Sequence, residues 1–201
     1  MPEEQGNVEQ AKQINIGTWV SKAWDLVTAD LANFLILGLI FAVIVGVAAT
    51  TAIGQFLVIG PLSVGFYLII FKRMRGEELN VGDIAKGFNY FVPSVLANIL
   101  ISAFVAIGLA LCIIPGLLIA ALYLFTYAFI LEQKLDFWEA MEASRKVLKD
   151  HLFEMTIFVL LLGLINFVGV LLCGIGVIFT IPLTTAATAI AYDDLVGIDK
   201  G

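Results

Sequence analysis

Three long stretches of the chain contain no charged residue: 31–71, 92–131 and 155–192. Ahead of each runs a shorter segment in which apolar residues recur three and four positions apart among charged ones. A helix crosses a hydrocarbon core of about 30 Å in about 20 residues. Each charge-free stretch is about twice that length, so each accommodates two crossings joined by a tight turn. The pattern predicts an all-α integral membrane protein with six transmembrane helices in three hairpins, turning near Gly54, Pro115 and Gly174.

The segment before each hairpin reads as an amphipathic helix. In the first, Ile16, Trp19, Val20, Ala23, Trp24 and Val27 follow Asn15 as a candidate N-cap. In the second, Val81, Ile84, Ala85, Phe88 and Phe91 follow Asn80. In the third, Phe137, Trp138, Met141, Val147 and Leu148 follow Asp136, and Glu139 completes a D-x-x-E capping pattern. Apolar stripes with tryptophan suit an interfacial helix at the headgroup level. The same stripe also allows packing on the mouth of the bundle.

Amphipathic helix, span, tight turn, span therefore forms a unit, repeated over 15–73, 80–132 and 136–193 within a single membrane domain covering 1–201. A polar tail, 1–14, precedes it. The same interval separates each cap from a polar residue early in the next span: Asn15 to Asn33, Asn80 to Asn98, Asp136 to Glu154. Spans 2 and 6 share a motif, I-G-P-L-S-V-G at 59–65 and T-I-P-L-T-T-A at 180–186. Two-span copies keep one orientation, so only an axis along the membrane normal can relate them. A pseudo-threefold repeat is expected.

Composition fits this reading. The chain is 61% hydrophobic and 14% charged, against about half and a quarter in soluble domains. All eleven Lys and Arg residues fall on one side. Lys12 and Lys22 precede span 1; Lys72, Arg73, Arg75 and Lys86 follow span 2; Lys134, Arg145, Lys146 and Lys149 follow span 4; Lys200 follows span 6. The positive-inside rule then places both termini in the cytoplasm of a multi-pass protein of the cell (plasma or inner) membrane. The first 30 residues carry seven charges and no apolar run, so no signal peptide is expected there. A net charge of −6 gives no support to a nucleic-acid partner. The far face offers only three uncharged turns, with no room for a catalytic or receptor domain.

Candidate chemistry is sparse. Asn33, Asn98 and Glu154 hold equivalent positions and would form a polar ring under threefold symmetry. Interfacial residues facing headgroups would look the same. Pro61 and Pro182 lie inside spans 2 and 6, each followed two positions on by a hydroxyl, Ser63 and Thr184. Broken helices line substrate sites in some transporters; a packed kink is the plainer reading. Gly60, Gly65, Ala186, Ala187 and Ala189 read as close helix contact, as do Ser102, Ala106 and Ala110. These five positions, Asn33, Asn98, Glu154, Pro61 and Pro182, are the candidate ligand-binding residues.

No catalytic residue, metal site or cofactor motif is expected. His151 stands beside Asp150 without further ligands. Cys112 and Cys173 both precede a turn on the same side, so a bridge and two packed thiols both fit; two cysteines make no zinc site. Glu154 apart, the spans carry no ionisable acid or base, which argues against ion-coupled transport and proton pumping. A phosphate-binding glycine loop, an H-E-x-x-H helix and a nucleophile elbow are all missing. An enzyme acting on headgroups would have to draw on Asn33, Asn98, Asp150, His151 and Glu154, which include no nucleophile or metal set.

Four short motifs carry a family resemblance: G-P-L-S-V-G-F-Y at 60–67, D-I-A-K-G-F at 83–88, I-I-P-G at 113–116 and A-M-E-A-S-R-K at 140–146. Together the chain resembles the membrane domain attached to some glycerophosphoryl diester phosphodiesterases, and related free-standing bacterial and archaeal multi-pass membrane proteins. In the fused members the resemblance places hydrolysis in a separate soluble barrel, which this sequence lacks. It therefore implies no catalytic residue here, only a role near lipids.

Two functions follow as expectations. One is a non-enzymatic membrane module that binds or organises lipids, another membrane protein or further copies of itself at the cytoplasmic face. The other is a transporter or flippase-like carrier of lipid or small apolar solute through the kinked spans 2 and 6. A cavity beside Pro61 and Pro182 supports the carrier; a tightly packed core supports the module.

Overall fold

The computed structural model describes residues 14–51, 53–172 and 175–198. The described residues are helical, with no strand among them. The helices are α1 (Ile16–Thr28), α2 (Leu31–Ala48), α3 (Gly54–Met74), a 3₁₀ helix (Val81–Tyr90), α4 (Phe91–Leu111), α5 (Ile113–Leu122), α6 (Thr126–Glu132), α7 (Phe137–Leu148) and α8 (Leu152–Leu171), followed by α9 (Val177–Leu195). Five helical runs are long and apolar enough to cross a membrane: Leu31–Ala48, Gly54–Met74, Val81–Leu111, Ile113–Glu132 and Phe137–Leu171.

The last apolar stretch of the sequence forms α9, which falls outside that group. Thr180, Thr184, Thr185, Thr188, Asp193 and Asp194 lower its hydropathy. It is also among the most enclosed elements, with Thr180, Pro182–Thr184 and Ala186–Tyr192 all buried. Three of its four threonine hydroxyls are satisfied within the helix itself. Thr184, Thr185 and Thr188 each donate to a carbonyl one turn back, at 2.8, 2.8 and 2.9 Å.

Each helix after a turn packs against its hairpin partner and against the segment that follows it. α3 packs on α2, on the 3₁₀ helix and on α4; α5 packs on α4 and α8, and α6 on α7; α9 packs on α8 and closes onto α1 and α2. α3 also touches α6 and α9. At this centre Phe71, Phe125 and Phe129 surround Tyr192, with ring centroids 5.7, 5.5 and 5.1 Å away.

The three amphipathic segments form, but differently from one another. α1 is capped as expected, with Thr18 N–H donating to Asn15 Oδ1 at 3.0 Å. Its buried face is Trp19, Ala23 and Val27, and it lies along α9, where Trp19 Nε1 donates to Asp194 Oδ2 at 3.1 Å. The second segment is 3₁₀ rather than α and runs back along α3 instead of lying free at a surface. Its register is fixed by Lys72 and Lys86, each 2.7 Å from the buried carboxylate of Asp83. Backbone meets backbone here: a Cβ at Gly65 would fall on the carbonyl of Ile84, and one at Gly87 on that of Pro61. No side chain fits between the two elements. The third segment, α7, continues through a 3₁₀ turn at Lys149–His151 into α8. Asp136 makes no capping hydrogen bond to it; Asp136 and Glu139 are both exposed.

The turns follow local chemistry. After α2, Thr50 and Thr51 hydroxyls donate to Val47 and Ala48 carbonyls at 2.7 and 3.0 Å, and Thr51 Oγ1 accepts from Gly54 N–H at 3.1 Å. The second turn is the single extended residue Cys112, which is exposed and free, and Pro115 falls inside α5. Gly174 and Cys173 lie outside the described residues, and with them the question of a bridge; so do Lys12, Lys200 and most of the polar tail.

The fourth apolar stretch is broken between α5 and α6. Tyr123, Leu124 and Phe125 interrupt it, leaving an amide and a carbonyl without helical partners. One side chain serves both: Ser144 of α7, fully buried, accepts from Phe125 N–H at 3.2 Å and donates to the Leu122 carbonyl at 2.8 Å.

Candidate functional site

Between these helices lies a cavity of about 410 Å³. α3 contributes Ser63, Phe66 and Tyr67 to its wall; the break contributes Tyr123 and α6 Tyr127; α8 contributes Asn166; α9 contributes Thr184, Thr185 and Thr188. Phe41, Ile101, Val159 and Leu162 fill the gaps between them. Its volume is that of a small-molecule site. The wall holds no ionisable acid, lysine, arginine or histidine, so its polarity is hydroxyl and amide throughout.

The polar groups are fixed by their own helices. Asn166 Nδ2 donates to the Leu162 carbonyl at 3.0 Å and to Thr184 Oγ1 at 3.2 Å, which ties α8 to α9. Asn166 Oδ1 is buried and has no hydrogen-bond partner. Tyr127 donates to Asn98 Oδ1 at 3.0 Å, and Asn98 Nδ2 donates to the Phe56 carbonyl at 3.1 Å. That chain joins α6, α4 and the first turn of α3.

The residues singled out from sequence fall in three settings. Pro61 and Pro182 are buried within α3 and α9. They are set back from the cavity, while the hydroxyls two positions on, Ser63 and Thr184, line it. Asn98 is buried directly behind Tyr127. Asn33 is half-buried, its amide donating to both carboxylate oxygens of Asp30 at 3.0 and 3.1 Å. Glu154 is exposed in the first turn of α8. Asn33 and Asn98 thus have separate partners, and no hydrogen bond among the described residues joins the three positions.

Tyr67, Tyr127, Asn166, Thr185 and Thr188 had not been singled out from sequence. Their signal was there: Thr180, Thr184 and Thr188 recur every fourth residue of an apolar span, and Asn166 is an amide inside another. Attention to ionisable groups passed over neutral ones.

A second recess of about 680 Å³ opens at the charged end of the bundle, between Lys22 and Asp25 of α1, Arg73 of α3, and Asp193 and Asp194 of α9. Two of its acids are engaged, Asp194 with Trp19 and Asp193 with the Ile198 amide at 3.0 Å. It is larger than the central cavity but is framed by long, charged side chains that water can reach, so it is the poorer candidate for holding a ligand. No group of acids, histidines and cysteines that could hold a metal ion occurs among the described residues. In comparison with known proteins, the chain matches no family profile, no curated protein and no solved structure.

Proposed function

We propose that this protein is a membrane-embedded carrier that holds a small uncharged amphiphile or apolar solute in its central cavity. The observation that carries the reading is that cavity: a largely apolar wall with hydroxyls and amides and no carboxylate, lysine, arginine or histidine, beside the two proline-bearing helices. An ion or zwitterion would meet no compensating charge there and would carry its full desolvation cost. A solute with one or two hydrogen-bonding groups on an apolar body matches the wall. Service as a scaffold alone needs no such space, so the cavity weighs for the carrier over the module.

On this reading α9 crosses the bilayer as the sixth span, shielded by α1, α2 and α8, and the three helix pairs stand around an axis along the membrane normal. The basic end faces the cytoplasm, with both termini there. The resemblance to a membrane domain that accompanies a lipid-headgroup hydrolase agrees with a lipid-like solute. Chemistry on that solute is not part of the proposal.

The test is to purify the protein in nanodiscs and look for a retained small molecule by native mass spectrometry, beside Ser63→Phe, which fills the cavity. A molecule present in the wild type and lost from a folded Ser63→Phe protein is the expected result. An empty wild type, or equal retention by both, would overturn the reading.

A further inference from the structure

The helix faces that line the cavity continue past it toward the charged end of the bundle, one turn at a time. On α3 the stripe runs Tyr67, Phe71, Arg75, and on α9 Thr184, Thr188, Tyr192, each at a spacing of four. Tyr67, Thr184 and Thr188 line the cavity. One turn further, Phe71 and Tyr192 are fully buried with ring centroids 5.7 Å apart, and Phe129 of α6 closes on Tyr192 at 5.1 Å. Beyond that aromatic layer Arg75 forms a half-buried ion pair with Glu132 of α6. Cavity, ring layer and ion pair thus succeed one another, and α6 contributes to all three through Tyr127, Phe129 and Glu132.

α6 is also set off by a joint at each end. It is only seven residues long. Before it the helical run is broken at 123–125, where the loose amide and carbonyl are served by Ser144 of α7. After it the chain is non-helical over 133–136, and Lys134 takes a φ of 53°, a left-handed conformation uncommon outside glycine. Residues at the ends of an element are where a rigid piece turns on its neighbours. The tie at the outer tip of α6 is a charge pair, whose partners water and headgroups can solvate once they separate.

We propose that α6 is the gate of the carrier at its charged end. Turning on its two joints, it parts Glu132 from Arg75 and draws Phe129 off Tyr192, which opens the cavity to that face. The layered arrangement described above is the closed form. This rests on the carrier reading and adds how its site is opened. In a module that only organises partners, the same layers would be fixed packing.

The gate is read as the rate at which a membrane-impermeant methanethiosulfonate labels a cysteine in the cavity wall. The reporter is Thr188→Cys in the full-length protein in nanodiscs, with Cys112→Ser and Cys173→Ser; Ser63→Cys serves as a second reporter. Labelling should be slow with the ion pair intact and about tenfold faster or more in Glu132→Gln, with a cationic and an anionic reagent alike. Arg75→Lys, which keeps the charge, should stay near the parent rate. Trp19→Phe, which loosens α1 against α9 instead, should leave the rate unchanged. Fast labelling of the parent, no acceleration in Glu132→Gln, or equal acceleration in Trp19→Phe would overturn the gate. If that protein still retains a molecule that Ser63→Phe loses, the carrier reading stands without it. Failure of the carrier reading is seen separately, as an empty wild type in the retention experiment.

Discussion

α2 and α9 lie against each other and invert the usual rule for where hydrophobic residues go. In α2 the apolar residues run almost unbroken, yet only 17% of its span is buried in protein. Leu35, Ile36, Leu39, Val43 and Val47 point outward. α9 carries four threonines, two aspartates and a proline, and is buried along nearly its whole length. In water the greasier helix would be the inner one. In a bilayer the solvent is as apolar as leucine, so hydropathy marks the lipid face, while small and hydroxyl residues mark the protein interior. The contrast explains how hydroxyl and amide side chains come to line a largely apolar cavity without a charged residue.

Single substitutions can break or sharpen that contrast. The largest effect is expected on the face of α2 that meets α9. Gly38 is buried where a Cβ would fall on the Ile178 carbonyl, whereas Gly46 of the same helix has open space around it. Gly38→Leu should destabilise the fold by about 3 kcal/mol or more, and Gly46→Leu by less than about 0.5 kcal/mol, measured by reversible unfolding in mixed micelles. Equal losses would mean that α2 does not pack on α9 as described.

Next come the two tryptophans of α1. Trp19 is 1% exposed and hydrogen-bonds Asp194, while Trp24 is 51% exposed and only meets the Phe179 ring, at 5.4 Å. Trp19→Phe should cost about 1.5–3 kcal/mol, the range for a hydrogen bond to a charged group. Trp24→Phe should stay below about 1 kcal/mol. The same unfolding assay ranks them, and a reversed order would place α1 with the wrong face inward.

A smaller effect is expected at Thr188. Its hydroxyl bonds back to the Thr184 carbonyl of its own helix, a weaker contribution than the average of about 0.6 kcal/mol for bonds between helices in membrane proteins. Thr188→Val should therefore lower stability by no more than about 0.6 kcal/mol. A loss several times larger would show the hydroxyl serving more than its own helix. Smallest of all, Leu39→Ala and Val43→Ala on the outward face should change folding free energy by less than about 0.5 kcal/mol, since lipid replaces the contact.

The sequence showed most of what hydropathy and turn chemistry can express. Charge-free stretches became long helices, Asn15 and Asn80 became caps, and the glycines and alanines of 59–65 and 180–186 became contact surfaces. It did not show that Val81–Tyr90 would be 3₁₀ and climb along α3. Its apolar periodicity suited an interfacial helix equally, and only the missing Cβ atoms of Gly65 and Gly87 let the two backbones meet. The break at 123–125 carried no proline or glycine to announce it; a serine in a later helix makes it possible. The D-x-x-E pattern at Asp136 suggested a cap that the side chain does not make. As for the candidate cavity, Pro61 and Pro182 lie on two of the helices that wall it without lining it, while Ser63 and Thr184 beside them do line it. Asn98 supports the wall from behind, whereas Asn33 and Glu154 belong to other surroundings. A ring of three equivalent polar residues assumed that equal spacing means equal environment, and burial differs among the copies.

Ser144 holds both loose backbone ends of the α5–α6 joint, so it acts as a hinge pin through a jointed rod. α5 rises about 15 Å, about half the hydrocarbon thickness, so neither half of the rod crosses alone. The pin belongs to α7, and the joint begins at Tyr123, which lines the central cavity. Ser144→Ala would leave the Phe125 amide and the Leu122 carbonyl without partners, so the angle of the joint depends on a side chain from α7.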